Sequence, residues 1–173
     1  MNRNHAVLLI LAVLSILLIQ VFIPDSEPGS ISSLEGVMLS NLNGQKFRLA
    51  GQFTEKPLLL VFWSVTCGTC IEEIPFIIRL HEALQTRVNI IGIHPPGFPL
   101  KKIQRFVKKF PQQIPYMIAV DDMGGMIKSY NVSVLPRTLL LNRQSKVLYD
   151  HLGYAPENEK EIENAINAQL QPL

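Results

Sequence analysis

The stretch that decides the fold is Leu58-Leu-Leu-Val-Phe-Trp-Ser-Val-Thr-Cys-Gly-Thr-Cys70. Its first six residues form a continuous apolar run, as expected of a strand that is buried on both faces of a sheet. The cysteines follow at once, and we expect a helix from Cys67 to about Thr86 that carries both of them in its first turn. A buried strand that feeds such a helix is a typical construction of a redox-active dithiol.

The two cysteines are expected to differ in their chemistry. The N-terminus of a helix supplies roughly half a positive charge and unpaired N–H groups, which favour thiolate over thiol at Cys67. Only the thiolate attacks a disulfide, so Cys67 is predicted to be the exposed nucleophile. Cys70 lies one turn deeper on the same helix face and is predicted to resolve the mixed disulfide by closing an internal bridge.

Composition limits the remaining chemistry. The chain has 173 residues, a net charge of +2 and only these two cysteines. A net charge this small implies no nucleic-acid partner. A structural zinc site needs about four ligands. The histidines that could complete one are scattered along the chain, so neither a metal nor another cofactor is expected; they are His5, His81, His94 and His151.

The N-terminal region predicts a membrane anchor. Residues 6–23 are apolar apart from two polar positions and would span roughly 27 Å as a helix, close to a bilayer core of roughly 30 Å. Arg3 precedes the segment and acidic residues follow it, so residues 1–5 are predicted to be cytoplasmic. We expect a flexible tether over residues 24–35 and a folded domain over residues 36–173, in the periplasm of a bacterium and held at its inner membrane. A cleaved signal peptide is the alternative.

The rest of the chain predicts a mixed sheet covered by helices on both faces. We expect two hairpins, a second buried strand, a basic amphipathic helix, a short strand, a short helix and a closing helix. In chain order these lie at Val37–Leu49 (hairpin), Val88–Ile93, Leu100–Phe110, Tyr116–Val120, Gly124–Tyr130, Thr138–His151 (hairpin) and Pro156–Leu170.

Other side chains near the cysteines are candidates for the site. Glu73 lies one turn beyond Cys70, where a partly buried carboxylate would have a raised pKa and exchange protons with it. A solvated surface carboxylate fits the spacing equally well. Pro75 lies inside the predicted helix and is expected to kink it or to begin a second segment. His94 ends the second strand, where it could lie on the site side of the sheet and have a functional role; an ordinary loop histidine is the favoured interpretation.

Taken together, these pieces resemble a known family. Phe62-Trp63, Cys67-Gly-Thr-Cys70, Glu73-Ile-Pro75 and Tyr130-Asn-Val-Ser-Val-Leu-Pro-Arg-Thr138 occur in the order seen in the membrane-anchored, periplasmic, thioredoxin-like proteins of the TlpA/ResA type. The resemblance extends from about residue 36 to residue 170. It implies a thioredoxin-like fold with a central helix–strand insertion at about residues 100–122.

The resemblance also implies functional roles. It makes Pro136 the cis-proline that faces the dithiol, and substrate contacts are expected from Pro136, Leu135 and Trp63. The implied activity is reduction of protein disulfides, for example in cytochrome c maturation. Electrons would come from a membrane thiol carrier of the DsbD or CcdA kind. Thr66 stands where the family usually has tryptophan, which removes an aromatic wall from the substrate groove.

Two other functions fit the same pattern. A disulfide oxidant or isomerase would use the same dithiol in another direction. A copper-handling assembly chaperone would bind metal through it, although copper chaperones of this fold space their cysteines with three residues between them. The two-residue spacing of Cys67 and Cys70 favours the oxidoreductase.

Overall fold

A computed structural model describes residue 34, residues 36–52 and residues 56–170. The predicted segments 1–5 and 6–23, and most of the predicted tether 24–35, lie outside these ranges. No helix within the described ranges is long and apolar enough to cross a membrane. Leu34, at the end of the predicted tether, is buried in the core.

The described residues form the following elements. The strands are β1 (Met38–Asn41), β2 (Lys46–Arg48), β3 (Leu58–Phe62), β4 (Asn89–His94), β5 (Met117–Val120), β6 (Arg137–Leu141) and β7 (Val147–Leu152). The α-helices are α1 (Gly68–Leu84), α2 (Leu100–Lys109), α3 (Gly125–Ser129) and α4 (Glu159–Gln169). Short 3-10 helices cover Leu49–Gln52 and Pro156–Asn158.

The strands form one mixed sheet in the order β2-β1-β5-β4-β3-β6-β7. Strands β3, β4 and β5 are parallel to one another, because α1 and α2 return the chain across the sheet between them. The β3–β6, β6–β7, β1–β2 and β1–β5 pairs are antiparallel. All five residues of β3 are buried, as the continuous apolar run predicts for a strand paired on both sides.

Apolar side chains pack on both faces of the sheet. One face carries the alternate residues Leu59 and Val61 of β3, packed with residues of α1, α2 and α4. The other face carries Leu58, Leu60 and Phe62, packed with residues of α3. The predicted mixed sheet with helices on both faces is therefore confirmed.

The predicted elements are all present, with small differences at their ends. Helix α1 runs unbroken through Pro75, so the alternative of a second helix beginning there is wrong. Cys67 is the N-cap of α1 and lies just before its first helical residue. Strand β4 extends one residue beyond the predicted end, which makes His94 a strand residue. The closing helix begins with the 3-10 turn Pro156–Asn158 before α4.

Gly92, in the middle of β4, lies where the sheet is packed most tightly against a side chain. A Cβ atom at this position would lie 2.8 Å from Cδ1 of Ile118 and 3.1 Å from Nε1 of Trp63. Only glycine fits at this position, because the Trp63 indole lies directly against the strand.

We expect Gly92→Ala to lower the free energy of unfolding by about 1–3 kcal/mol, because the added methyl group must displace Ile118 and the Trp63 indole. The matched control is Gly36→Ala, where a Cβ atom meets nothing within 4 Å and the change should stay within about 0.5 kcal/mol. Urea denaturation of both variants, followed by circular dichroism, measures the difference. Equal stabilities for the two variants would contradict the packing described here.

Candidate active site

Three strands bring the candidate residues to one edge of the sheet. Strands β3 and β4 are parallel, so their carboxyl ends lie side by side, and β6 runs antiparallel to β3 and begins at the same edge. Cys67 follows β3, His94 ends β4 and Pro136 directly precedes β6. The carboxyl ends of parallel strands are where binding sites collect in such sheets.

Cys67 and Cys70 form a disulfide at the start of α1, with their Cα atoms 5.2 Å apart. The Cys70 N–H donates a hydrogen bond to Cys67 Sγ over 3.2 Å. This donor is one of the N–H groups that the first turn of a helix leaves unpaired, and it would stabilise a thiolate at Cys67. Cys67 is half-buried and Cys70 is 1% exposed, so the predicted difference in exposure is confirmed.

Glu73 lies one turn beyond Cys70 and is 1% exposed, so the alternative of a solvated surface carboxylate is wrong. Thr138 Oγ1 donates a hydrogen bond to Glu73 Oε1 over 3.3 Å, while Oε2 has no partner among the described residues. Burial raises the pKa of the Glu73 carboxyl to about 8, and the hydrogen bond from Thr138 opposes the shift only in part. Burial therefore favours the protonated, neutral form of this carboxyl group.

Thr138 is a residue of the site that the sequence analysis did not identify. It lies in β6 opposite Val61 of β3 and is 1% exposed. The sequence could have identified it, because side chains alternate between the two faces of a strand. Pro136 and Thr138 are two residues apart and therefore share a face. Its hydroxyl links the start of β6, directly after Pro136, to the Glu73 carboxyl one turn beyond Cys70.

His94 supports the loop that leads to Cys67. It is 1% exposed, rather than the loop residue that the sequence predicted. Its Nδ1 lies 2.8 Å from the Pro95 carbonyl oxygen, which can only accept, so Nδ1 carries the hydrogen. Nε2 then accepts a hydrogen bond from the Val65 N–H over 3.3 Å. Burial lowers the pKa of His94, which favours this neutral form.

Thr66, at the position where the resemblance leads one to expect tryptophan, makes local hydrogen bonds. Its hydroxyl lies 3.0 Å from the Ser64 hydroxyl, and its N–H donates to Ser64 Oγ over 3.3 Å. The side chain is therefore held close to its own loop and leaves the surface beside Cys67 open.

Trp63 and Arg137 are held within the fold beside the site. Trp63 is 3% exposed and packs against His94 and Phe106, so it lies beneath the site and does not offer the substrate contact that was expected of it. The Arg137 guanidinium binds Asp150 through two hydrogen bonds of 2.9 and 2.7 Å, so it holds β6 against β7 rather than pointing freely into solvent.

The peptide bond between Leu135 and Pro136 is cis, as the resemblance implies. Pro136 is buried, Leu135 is half-buried and the neighbouring Val134 is 50% exposed. The Pro136 carbonyl accepts a hydrogen bond from the Gly153 N–H over 2.8 Å. Val134 is thus an exposed apolar side chain in the predicted substrate-binding segment.

Metal-ligating side chains do not gather near the dithiol. Within the described ranges, no three residues among the histidines, cysteines, aspartates and glutamates are grouped so that they could hold a metal ion. At this edge the described residues bring together two sulfur atoms, the buried carboxyl group of Glu73 and the backbone around them.

Comparison with known proteins agrees with this site. Thiol-disulfide oxidoreductase ResA of Geobacillus thermodenitrificans is 28% identical over 147 residues, which cover 84% of this chain and 82% of that protein. Similar solved structures include a secreted disulfide oxidoreductase of Mycobacterium tuberculosis (TM-score 0.66, 21% identity, 80% of this chain and 99% of that one). StoA from Bacillus subtilis has a TM-score of 0.63 at 17% identity, over 78% of this chain and 98% of that one.

The two solved structures show that the chain has a thioredoxin-like fold. Their sequence identities are too low to show a shared activity. The resemblance to ResA-type proteins is confirmed by the curated relatives. The model of the family described as Redoxin matches residues 23–166, which include the whole site. The chain therefore belongs to the Redoxin family, and its Cys67–Cys70 pair and its relatives place it among the thiol–disulfide oxidoreductases.

Proposed function

We propose that the protein reduces disulfide bonds of periplasmic proteins, with apocytochrome c or other cysteine proteins as targets. One observation carries the proposal: a half-buried cysteine at a helix N-terminus is joined to a buried cysteine, one turn above a buried carboxyl group. This arrangement separates a nucleophile that a protein substrate can reach from a resolving thiol that it cannot.

The reaction needs only the two sulfur atoms and the substrate disulfide. In the reduced protein, the Cys67 thiolate attacks one sulfur of the substrate, and the other substrate sulfur leaves as a thiolate. The Cys70 sulfur then attacks Cys67, which closes the internal disulfide and releases the second substrate sulfur as a thiolate. The substrate gains two electrons and the dithiol loses two.

Glu73 is proposed to carry the proton of the second step. The Cys70 thiol is buried and must lose its proton before it can attack Cys67. A carboxyl group with a pKa of about 8, one turn further along the same face, is suited to accept it near neutral pH. Thr138 would hold this carboxyl in position through its hydroxyl.

The direction and place of the reaction rest on the resemblance and on the N-terminal segment. The chain is similar to relatives named thiol-disulfide oxidoreductase ResA, and the reductase role is proposed from that resemblance. Residues 6–23 are proposed to anchor the protein in the bacterial inner membrane, with the folded domain in the periplasm. A membrane thiol carrier of the DsbD or CcdA kind would then return electrons to the disulfide.

The roles of the two cysteines are tested by trapping. Cys70→Ser should accumulate mixed disulfides with protein substrates, because the serine cannot displace them from Cys67. Cys67→Ser should trap few or none, because the remaining thiol is buried. Non-reducing electrophoresis after acid quenching measures both variants, and equal trapping would contradict the assignment.

The direction of electron flow is tested by the reduction potential of the full-length chain in thiol–disulfide buffers. Trp63 is the only tryptophan and lies just before the dithiol loop, so its fluorescence should report the transition. We expect a potential near thioredoxin's value of about −270 mV. A value near about −120 mV, that of a strong periplasmic oxidant, would overturn the reductase role in favour of the oxidant.

The proton carrier is tested with Glu73→Gln. We expect closure of the internal disulfide to be about 100-fold slower at pH 7, because the amide cannot accept the Cys70 proton. The wild-type rate should rise with pH and level off near 8, the pKa of the Glu73 carboxyl, whereas the rate of the variant should start lower and keep rising, because only solvent takes the Cys70 proton. Glu72→Gln, at the exposed neighbouring position, is the matched control and should retain the wild-type profile.

The free energies of unfolding of Glu73→Gln and Glu72→Gln also test the raised pKa of the Glu73 carboxyl. Between the ordinary pKa of 4.5 and the folded-state value of about 8, the folded protein keeps a proton on Glu73 that the unfolded chain releases. The contribution of Glu73 to the stability of the oxidised wild type should therefore be complete below pH 4.5 and be lost towards pH 8, by up to about 1.4 kcal/mol per pH unit. Urea denaturation at several pH values should show this slope in Glu72→Gln and not in Glu73→Gln.

A further inference from the structure

An apolar groove of about 580 Å³ lies beside the dithiol, between the start of α1 and helix α2. Its floor is formed by apolar side chains, which are Val65, Ile71, Phe98, Phe106 and Phe110. We call it the α1–α2 groove. Its volume lies in the range of clefts that bind ligands or extended side chains.

The α1–α2 groove begins at the reactive cysteines. Val65 is two residues before Cys67, and Ile71 directly follows Cys70. A polypeptide whose cysteine is bonded to Cys67 therefore has its neighbouring residues at the mouth of the groove. This continuity distinguishes the groove from two other clefts, one between α1 and α4 and one at the opposite end of the sheet.

The floor of the groove is connected to the indole beneath the site. The Phe106 ring lies 5.7 Å from the Phe110 ring and 5.6 Å from the Trp63 ring, measured between centroids. A side chain that enters the groove would therefore pack against aromatic surface that touches Trp63. Binding there should change the fluorescence of the one tryptophan.

The rim of the groove is positively charged. Lys102, Arg105 and Lys109 line it, and its described lining contains no acidic residue. None of the three takes part in a salt bridge within residues 56–170. Lys102 Nζ lies 5.6 Å above the centre of the Phe98 ring, so the charge stands directly over the apolar floor. The rim thus places three cations, which form no salt bridge within residues 56–170, beside an apolar surface.

We propose that the α1–α2 groove binds the part of a protein substrate that adjoins its reactive cysteine, and that this part carries apolar residues flanked by acidic ones. The proposal rests on the proposed function and adds the class of substrate. Apolar side chains gain by leaving water in the groove, and carboxylates pair with the cations of the rim. The continuity of the groove with the Cys67–Cys70 pair favours a polypeptide substrate over an anionic lipid surface.

The test uses the reduced full-length chain and short peptides with a central cysteine in mixed disulfide with thionitrobenzoate. The first peptide has phenylalanine and leucine beside the cysteine and aspartates further out. The second replaces the aspartates by lysines, and the third replaces phenylalanine and leucine by serines. When the Cys67 thiolate bonds to the peptide sulfur, thionitrobenzoate leaves with the electron pair and is measured by its absorbance; Cys70 then displaces the peptide thiol.

We expect the first peptide to react about tenfold faster than either of the others, the order expected of a few partly exposed charge pairs or of one buried apolar side chain. In Lys102→Glu/Lys109→Glu the ratio of the first peptide to the second should fall to one or below. The matched control is Lys101→Glu/Lys108→Glu, on the same helix with the same spacing and charge change but outside the groove. It should keep the wild-type ratio.

Several results would overturn the proposal. Equal rates for the three peptides, with a normal rate for the small mixed disulfide of mercaptoethanol and thionitrobenzoate, would reject the groove and leave the proposed function standing. No release from any probe would reject the proposed function itself. Equal effects of the two lysine pairs would assign the preference to the total charge. Equal peptide rates with a Trp63 response to phosphatidylglycerol but not phosphatidylcholine vesicles would assign the groove to lipid.

Discussion

The pairing of β3 with a parallel strand on one side and an antiparallel strand on the other determines where every residue of the site lies. The parallel partner brings the end of β4 level with the end of β3, and the antiparallel partner brings the start of β6 to the same place. Because side chains alternate along a strand, this register also decides that Thr138 faces α1. A shift of one residue would reverse its side chain and leave the carboxyl of Glu73 without its hydrogen-bond donor.

The site is built from polar groups that are costly to bury. Glu73 and His94 are each 1% exposed, and each is kept neutral by that burial because the charged form has lost its water. Their surroundings differ in one respect. Both nitrogens of His94 have partners, which suits a fixed support, whereas one oxygen of Glu73 has none among the described residues, which suits a group that must change its protonation. Structural and chemical roles are thus distinguished by how fully each group is hydrogen-bonded.

The sequence predicted most of the fold, because apolar runs, turn residues and the position of the cysteines are local signals. The order of exposure of Cys67 and Cys70 followed from helix geometry alone. The burial of Glu73 did not, because spacing defines the face of a helix but not what covers that face. Thr138 and the support given by His94 depend on contacts between residues far apart in the chain, which no local pattern contains. The cis peptide bond before Pro136 was expected only through the resemblance to a family.

The burial of Leu34 has a consequence for how far the domain can travel. Its side chain is part of the core, so only eleven peptide bonds separate the folded body from residue 23, where the proposed anchor ends. Eleven residues span at most roughly 40 Å when fully extended. With residues 6–23 as the proposed anchor, the dithiol would therefore work in a shallow layer above the lipid surface, within reach of the proposed membrane-bound donor. Protein substrates would have to diffuse into that layer to meet it.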